Sequence, residues 1–189
     1  RVRIVSFNST FSMNVFYDKA VPGEGLAFVI APSLDKPPPG SHGGFLGLTN
    51  ATLQAAGPSK NRFVAIEFDT FNQSHDPSDN HVGLDIGSVV SDVVVSLSSL
   101  PQPDNITLAP LMETVDYTVW IDYDPAGRSL SVYADVQANP KPDNIIAEVS
   151  LNITNFNPYV RFGLLSTAEQ LHNARPRWNA TVELLLPYH

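Results

Sequence analysis

The sequence predicts an all-β fold built as an antiparallel sandwich, and three observations lead there. Apolar residues recur every second position in short runs; Pro, Gly, Asn and Asp clusters separate those runs; and no heptad, internal repeat or long amphipathic helix intervenes. Candidate strands run near 4–17, 25–32, 62–70, 81–87, 92–98, 117–123, 129–136, 145–151, 159–165 and 178–186. In the first, Val5, Phe7, Phe11, Met13 and Val15 share one face and leave Asn8 on the other. Runs 25–32, 62–70, 81–87 and 92–98 are apolar-rich segments bounded by turn residues. Asp124-Pro-Ala-Gly127 reads as a tight hairpin between the strands on either side. From Ile145 to Ile153 the odd positions are apolar and Asn152 faces outward. Residues 165–177 carry the weakest pattern, a loop or a single helical turn. In the last strand Trp178, Ala180, Val182 and Leu184 form the apolar face, with Asn179 opposite. Pro37-Pro-Pro-Gly40, Pro101-Gln-Pro-Asp104 and Asn139-Pro-Lys-Pro-Asp143 mark surface loops, where proline costs no ladder hydrogen bond. Many strands with regular turn signals favour a sandwich of two sheets.

Composition bounds the function. A chain of 189 residues fits one domain, 1–189, with a sizeable core. At 43% hydrophobic residues and a mean hydropathy of −0.05 it reads as globular, and no apolar run approaches the roughly 20 residues of a membrane span. The first residues, Arg1-Val-Arg-Ile4, are not a signal peptide, although one could have been removed. A net charge of −8 argues against nucleic acid or an anionic membrane as partner. Without cysteine there is no disulfide framework, and the redox compartment stays open. Six N-x-S/T sequons, at Asn8, Asn50, Asn72, Asn105, Asn152 and Asn179, speak to location instead. Asn8, Asn152 and Asn179 fall on predicted outward faces, where a glycan is tolerated, so a secreted, extracellular glycoprotein is expected.

The richest chemistry lies in Val64-Ala-Ile-Glu-Phe-Asp-Thr-Phe71, followed by Asp76 and His81-Val-Gly-Leu-Asp85. On one strand Glu67, Asp69 and Phe71 project the same way, and Asp76 and His81 follow in a loop short enough to fold back over them. Two strand carboxylates, a loop carboxylate and an imidazole make a hard, mixed oxygen and nitrogen donor set. Oxygen-rich positions suit calcium, and the added imidazole suits a transition ion such as manganese. Without a cation the clustered carboxylates repel one another. The alternative is that Asp69 and Asp76 satisfy turn backbone groups and His81 is an ordinary strand residue. Tyr117, Trp120, Tyr123 and Trp178 read as packing residues rather than ligand platforms. His42, His75, His172 and His189 have no partner spacing, and Arg175-Pro-Arg177 is too small a basic patch for nucleic acid.

These motifs carry a resemblance. VAIEFDTF, Asp76 and NHVGLDIGS together resemble the metal-binding core of the legume lectin family, and NHVGLDI with Trp120-Ile-Asp-Tyr-Asp124 is most similar to the lectin ectodomains of plant receptor kinases. Gly25-Leu-Ala-Phe28 with Ala31-Pro32, Gly43-Gly-Phe-Leu-Gly47, and Tyr159-Val-Arg-Phe-Gly163 with Ser166-Thr167 resemble further landmarks in the expected order. The resemblance covers nearly the whole chain and implies a jelly-roll sandwich. It also implies strands before Ser6-Phe-Asn-Ser-Thr-Phe11, which this sequence lacks. The expectation is therefore an open sheet edge covered by a second polypeptide or another subunit, or a compensating change.

What the resemblance implies about the site is specific. Glu67, Asp69, Asp76 and His81 match the ligands of the transition ion, Mn2+ or similar. Asp69 and Asp76 are shared with Ca2+, alongside the Phe71 carbonyl and the side-chain amide of Gln73. The sugar site draws on the acid at Glu24, an amide from Gly43 or Gly44, the Phe71 ring and Gln73. A specificity loop over Ser166–Asn173 adds Ala168 and Glu169. Two positions depart from the family: Glu24 stands where it has aspartate, and Gln73 where it has asparagine. Each adds a methylene to a site built on short hydrogen bonds. Two functions therefore stay open. One is a calcium-dependent lectin domain, which the resemblance to receptor kinases would join to a kinase domain; the other is a lectin-like defence or receptor protein with a decayed sugar site that binds a non-sugar ligand or a protein. A retaining glucanase of the same sandwich class needs acid, aspartate, acid at i, i+2 and i+4, with carboxyls about 5–5.5 Å apart. Glu67 and Asp69 fill two places but Phe71 fills the third, so no proton donor is present and no enzyme is expected.

Overall fold

A computed structural model describes residues 6–14, 23–101, 106–108, 115–136, 140–151, 161–166 and 180–185, the last two segments as backbone. Among the described residues ten strands form two five-stranded sheets: β1 Ser6–Met13, β2 Gly25–Ala31, β3 Val64–Asp69, β4 His81–Ile86, β5 Val93–Ser96, β6 Tyr117–Asp124, β7 Ser129–Asp135, β8 Ala147–Ser150, β9 Arg161–Ser166 and β10 Ala180–Leu185. One sheet runs β10-β1-β6-β7-β8 and the other β5-β4-β3-β2-β9. Every adjacent pair is antiparallel. The ten strands fall within about two residues of the expected segments, except that β1 is described only over 6–13 of the expected 4–17.

The period-two pattern is visible in β1 and β7 because each buries one face. Phe7, Phe11 and Met13 from β1 meet Leu26, Phe28 and Ile30 from β2 and Ile66 and Phe68 from β3 between the sheets. Phe28 stacks near-parallel on Phe11, with ring centroids 6.1 Å apart, while Phe68 meets Phe11 edge-on. β3 shows no alternation, since all six of its residues are buried. Its second face lies under a covering segment, residues 33–63, where Leu46, Leu48 and Phe63 pack on Ala27, Val29 and Ala65. The acidic residues of β3 share that outer face with Ala65. They are therefore roofed by loops rather than by the other sheet.

Several local readings shift. Tyr117 and Tyr123 are buried as expected, their hydroxyls donating to the Thr107 and Leu151 carbonyls. Trp120 is half-buried and alternates out of the core, since Val119 and Ile121 point inward. The alternation expected from Ile145 begins at Ala147: Ile145 is 43% exposed and Ile146 is buried, after which Ala147, Val149 and Leu151 face inward as expected. At the β6–β7 turn, Asp124 accepts the amides of Ala126 and Gly127, and Arg128 rather than glycine takes the left-handed conformation at φ 53°. A six-residue helix, Ala51–Ala56, was invisible to periodicity, being under two turns long.

Asn50 explains where that helix starts. Its side-chain oxygen accepts the Leu53 amide at 2.9 Å as N-cap, and its nitrogen donates to the Pro39 carbonyl at 3.0 Å. Asn50→Ala is expected to cost about 1 kcal/mol of stability, read as a lower urea midpoint with an unchanged slope. An unchanged midpoint would show that the cap contributes nothing.

Candidate metal and carbohydrate site

Strand register assembles the cluster. Asp69 lies directly across from His81, and Glu67 directly across from Gly83. Cross-strand partners are close neighbours, so one ligand-capable atom each from Glu67, Asp69 and His81 lies within 4.8 Å of the others, all three residues buried. Gly83 makes the space. A Cβ there would sit 2.4 Å from Glu67 Oε1 and 2.2 Å from Ser91 Oγ. His81 is oriented by Nδ1, which lies 2.8 Å from the Ser78 carbonyl, so Nε2 faces Glu67 Oε1 at 3.3 Å. A buried imidazole fixed by a carbonyl and aimed at two carboxylates is a donor set that fits a divalent transition ion.

Asp76 stands apart from this tight group. Its carboxylate accepts the Gln73 amide at 2.7 Å, closing a turn. Its charge still reaches Asp69 and helps raise that residue's pKa. Phe71 also departs from expectation. β3 ends at Asp69, whose carboxylate accepts the Phe71 amide at 2.7 Å, so Phe71 sits half-buried in the loop rather than on the strand. The turn-satisfying reading of Asp69 and Asp76 thus holds alongside their place near the cluster.

Electrostatics show what the cluster asks for. Burial pushes Asp69 from the ordinary 3.8 up to about 8, against the lowering effect of the Phe71 amide. Burial works against a charged His81, but the hydrogen bond to Glu67 and the charges of Asp69 and Glu67 outweigh it, and its pKa rises above 6.5. Asp85 is driven well up by burial and then by the Glu67 charge. Ser91 Oγ lies 2.5 Å from Glu67 Oε1 and 2.7 Å from Asp85 Oδ1. A hydroxyl has one proton to donate, so a proton held within the Glu67–Asp85 pair satisfies the second contact. Sequence reasoning missed Ser91; its only signal was a polar residue six positions after Asp85.

A pH prediction follows for chelator-treated protein. Asp69 and His81 hold protons more tightly folded than unfolded. Their contribution to stability is therefore fully present below the unfolded pKa values and is lost as pH rises, for Asp69 from 3.8 to about 8. With a divalent cation the sign reverses, because the ion requires deprotonated ligands. Calorimetry across that window should show Tm falling with pH in chelator and rising with Ca2+ and Mn2+. Parallel curves would contradict this.

Beside the cluster, Glu24, Gln73, Gly43 and Gly44 converge. Gln73 Nε2 donates to Glu24 Oε2 at 2.5 Å. Gly44 lies against Gln73 so closely that a Cβ would come within 2.8 Å of its amide group. Gly43, at φ +63°, faces Glu24 Oε1. The acid is anchored by its neighbours: Thr70 Oγ1 donates to the Gly23 carbonyl, and Gly25, at φ +121°, packs on the Phe68 carbonyl where no Cβ fits. Ala168 and Glu169, like Trp178 and the sequons Asn105, Asn152 and Asn179, lie outside the described residues. Asn8 donates to Asp122 Oδ1 at 2.7 Å, whereas Asn72 is exposed.

Comparison with known proteins places these features. A family model described as the legume lectin domain matches residues 1–177. Agglutinin-2 of Cladrastis kentukea is 39% identical over 141 residues, which are 72% of this chain and 44% of that protein. L-type lectin-domain containing receptor kinase VIII.2 of Arabidopsis thaliana is 40% identical over 154 residues, 80% of this chain and 20% of the kinase. The chain thus spans less than half the length of either relative. Lectin II from Ulex europaeus superposes with a TM-score of 0.72 at 25% identity, covering 96% of this chain and 74% of that one. The Lotus tetragonolobus seed lectin gives 0.70 at 25% identity, covering 97% and 75%. With its two antiparallel sheets and the match across residues 1–177, the chain belongs to the legume lectin family, whose members are non-catalytic carbohydrate-binding proteins.

Proposed function

We propose that residues 1–189 form a single lectin domain that binds carbohydrate in a calcium-dependent way. The observation that carries this reading is the convergence of Glu24, Gly43, Gly44 and Gln73 beside the buried Glu67, Asp69, His81 group. Legume lectins generally bind Ca2+ and Mn2+. In this chain Glu67, Asp69, Asp76 and His81 would hold the transition ion. Asp69, Asp76, the Phe71 carbonyl and Gln73 would hold calcium. When bound, the cations supply positive charge that keeps the carboxylates ionised and the 70–76 loop fixed. Glu24 and Gln73 then accept and donate to sugar hydroxyls, Gly43 or Gly44 offers a backbone amide, and the Phe71 ring packs on the apolar face of a sugar. Ala168 and Glu169 would border the ligand.

A second reading is favoured by one bond. Glu24 and Gln73 already satisfy one another, so a sugar must compete with an internal partner. A domain whose sugar site has decayed, and which reads a non-sugar ligand or a protein, fits that arrangement. A glycan array run with and without chelator tests both. Binding that vanishes on chelation and weakens about tenfold in Phe71→Ala, the scale of one lost packing contact, supports the lectin. Silence across the array supports the decayed form.

Location and assembly belong to the same proposal. Sequons on outward faces support a secreted glycoprotein, at the plant cell surface, in the apoplast or in the vacuole. Similarity to receptor kinases supports a kinase domain elsewhere in the full-length protein. β10 and β9 end their sheets among the described strands, and an added strand from a second polypeptide or another copy would pair there.

A further inference from the structure

On the outer face of the β2–β3 sheet, at the opposite end of β3 from the acidic cluster, the covering segment leaves a cleft of about 190 Å³. Its floor is apolar, with Leu34, Leu53 and Phe63 among the residues that close it. Its rim is cationic. Lys36, Lys60 and Arg62 line it, three of the chain's 11 basic residues, in a molecule of net charge −8. Among the described residues no acid lines the cleft; the nearby Asp35 accepts from the Ser33 hydroxyl at 2.7 Å, and both it and Arg62 have further partners, so the charge on offer is that of the two lysines. Lys36 and Lys60 are exposed, and neither has an ion-pair partner among the described residues.

We propose that this cleft is a second ligand site, taking a small organic anion: a carboxylate carried on an apolar body. The chemistry discriminates. A sugar needs acceptors for its hydroxyls, and no carboxylate is offered here. Inorganic phosphate would satisfy the lysines but leave the apolar floor wet. A carboxylate on a hydrocarbon or aromatic body uses both halves, its head between the two ammonium groups and its body on Leu53 and Phe63. Size sets the class. A cavity of roughly 150 Å³ holds benzene, so this cleft of about 190 Å³ takes an anion of about eight heavy atoms and excludes anything as large as a nucleoside triphosphate. The site is separate from the carbohydrate site: parts of the covering segment on either side of Gly43 and Gly44 line the cleft, and the two glycines do not.

Benzoate and hexanoate titrated into the intact, isotope-labelled chain test this, with benzyl alcohol as the neutral control. Both acids are expected to shift the Leu34, Leu53 and Phe63 amides saturably, with Kd on the order of 0.1–1 mM, and the alcohol about tenfold more weakly. Whichever acid binds tighter identifies the preferred body. The exposed-residue double variant Lys36→Glu/Lys60→Glu should lose about tenfold in acid affinity with Tm and divalent-ion binding unchanged. Leu53→Trp, which fills the cleft, should abolish the shifts. Equal affinity for acid and alcohol, undiminished binding to the charge-reversed variant, or no saturable shift at those amides would overturn the proposal.

Discussion

Asp69→Ala is expected to abolish binding of both divalent ions and to lower the Tm of the ion-saturated protein by roughly 10 °C. Asp69 is shared by both proposed ion sites, as Asp76 is, and of the two it is the one that lies in the tight group. It is 5% exposed, faces His81 across the β3–β4 register, and shares the tight group with Glu67. An ion present at about a thousand times its Kd stabilises the folded state by about 4 kcal/mol, and a protein of this size shifts about 2–4 °C per kcal/mol. Chelator should close the gap. Without a cation Asp69 is a buried acid pushed up to about 8, which is not a stabilising arrangement at neutral pH. Alanine then removes a liability as well as a hydrogen bond to Phe71. The two proteins should therefore converge in chelator while differing widely with ions. Metal content by mass spectrometry and Tm with and without chelator read this directly. A variant that retains both ions, or one that stays far less stable in chelator, would place Asp69 in a structural role only.

How much of this was legible beforehand depended on whether a signal was local. The strands were, because β1 and β7 each bury one face and leave the other wet, which writes period two into the residues. The Asp124 turn was, because an aspartate that accepts two following amides is a property of four consecutive residues. The grouping of Glu67, Asp69 and His81 is legible too, since it needs only a strand pair in register. Ser91 was not: its role depends on β4 bringing Asp85 and Glu67 to the same side with Gly83 leaving room, a fact about pairing rather than spacing. Phe71 was misplaced because alternation assumes that the strand continues, and Asp69 ends it by capping the Phe71 amide. For Asp76 the sequence leaves a ligand and a turn-satisfying residue both open; the turn contact with Gln73 is present, and the carboxylate stands outside the tight Glu67, Asp69, His81 group. Asn50 was read as a sequon, and its work as a helix cap was hidden by the shortness of the helix. Glu24 and Gln73 were read as two unrelated departures, although a longer acid and a longer amide facing each other compensate.

That pairing gives the other large expected effect. Glu24→Asp/Gln73→Asn is expected to bind glycan about 10- to 100-fold tighter than the unaltered chain. The present contact, 2.5 Å between Gln73 Nε2 and Glu24 Oε2, is a hydrogen bond to an acidic group, a class that contributes about 1.5–3 kcal/mol. A sugar that uses both groups must first give that up. Removing one methylene from each side chain draws their ends apart by roughly 2–3 Å, beyond hydrogen-bond reach. Space also opens over Gly44, against which the Gln73 amide now lies. The carboxylate and amide are then left facing solvent rather than each other, and a ligand hydroxyl can bridge them at no internal cost. Either single change should gain much less, because one long side chain can still lean toward a shortened partner. The four proteins form a double-mutant cycle, with affinity read by calorimetry against the best glycan from the array, and the coupling term is the test. If the two single variants add up to the double, the pair does not act as a unit. If the double binds no better than the starting chain, the internal bond is not what limits the site.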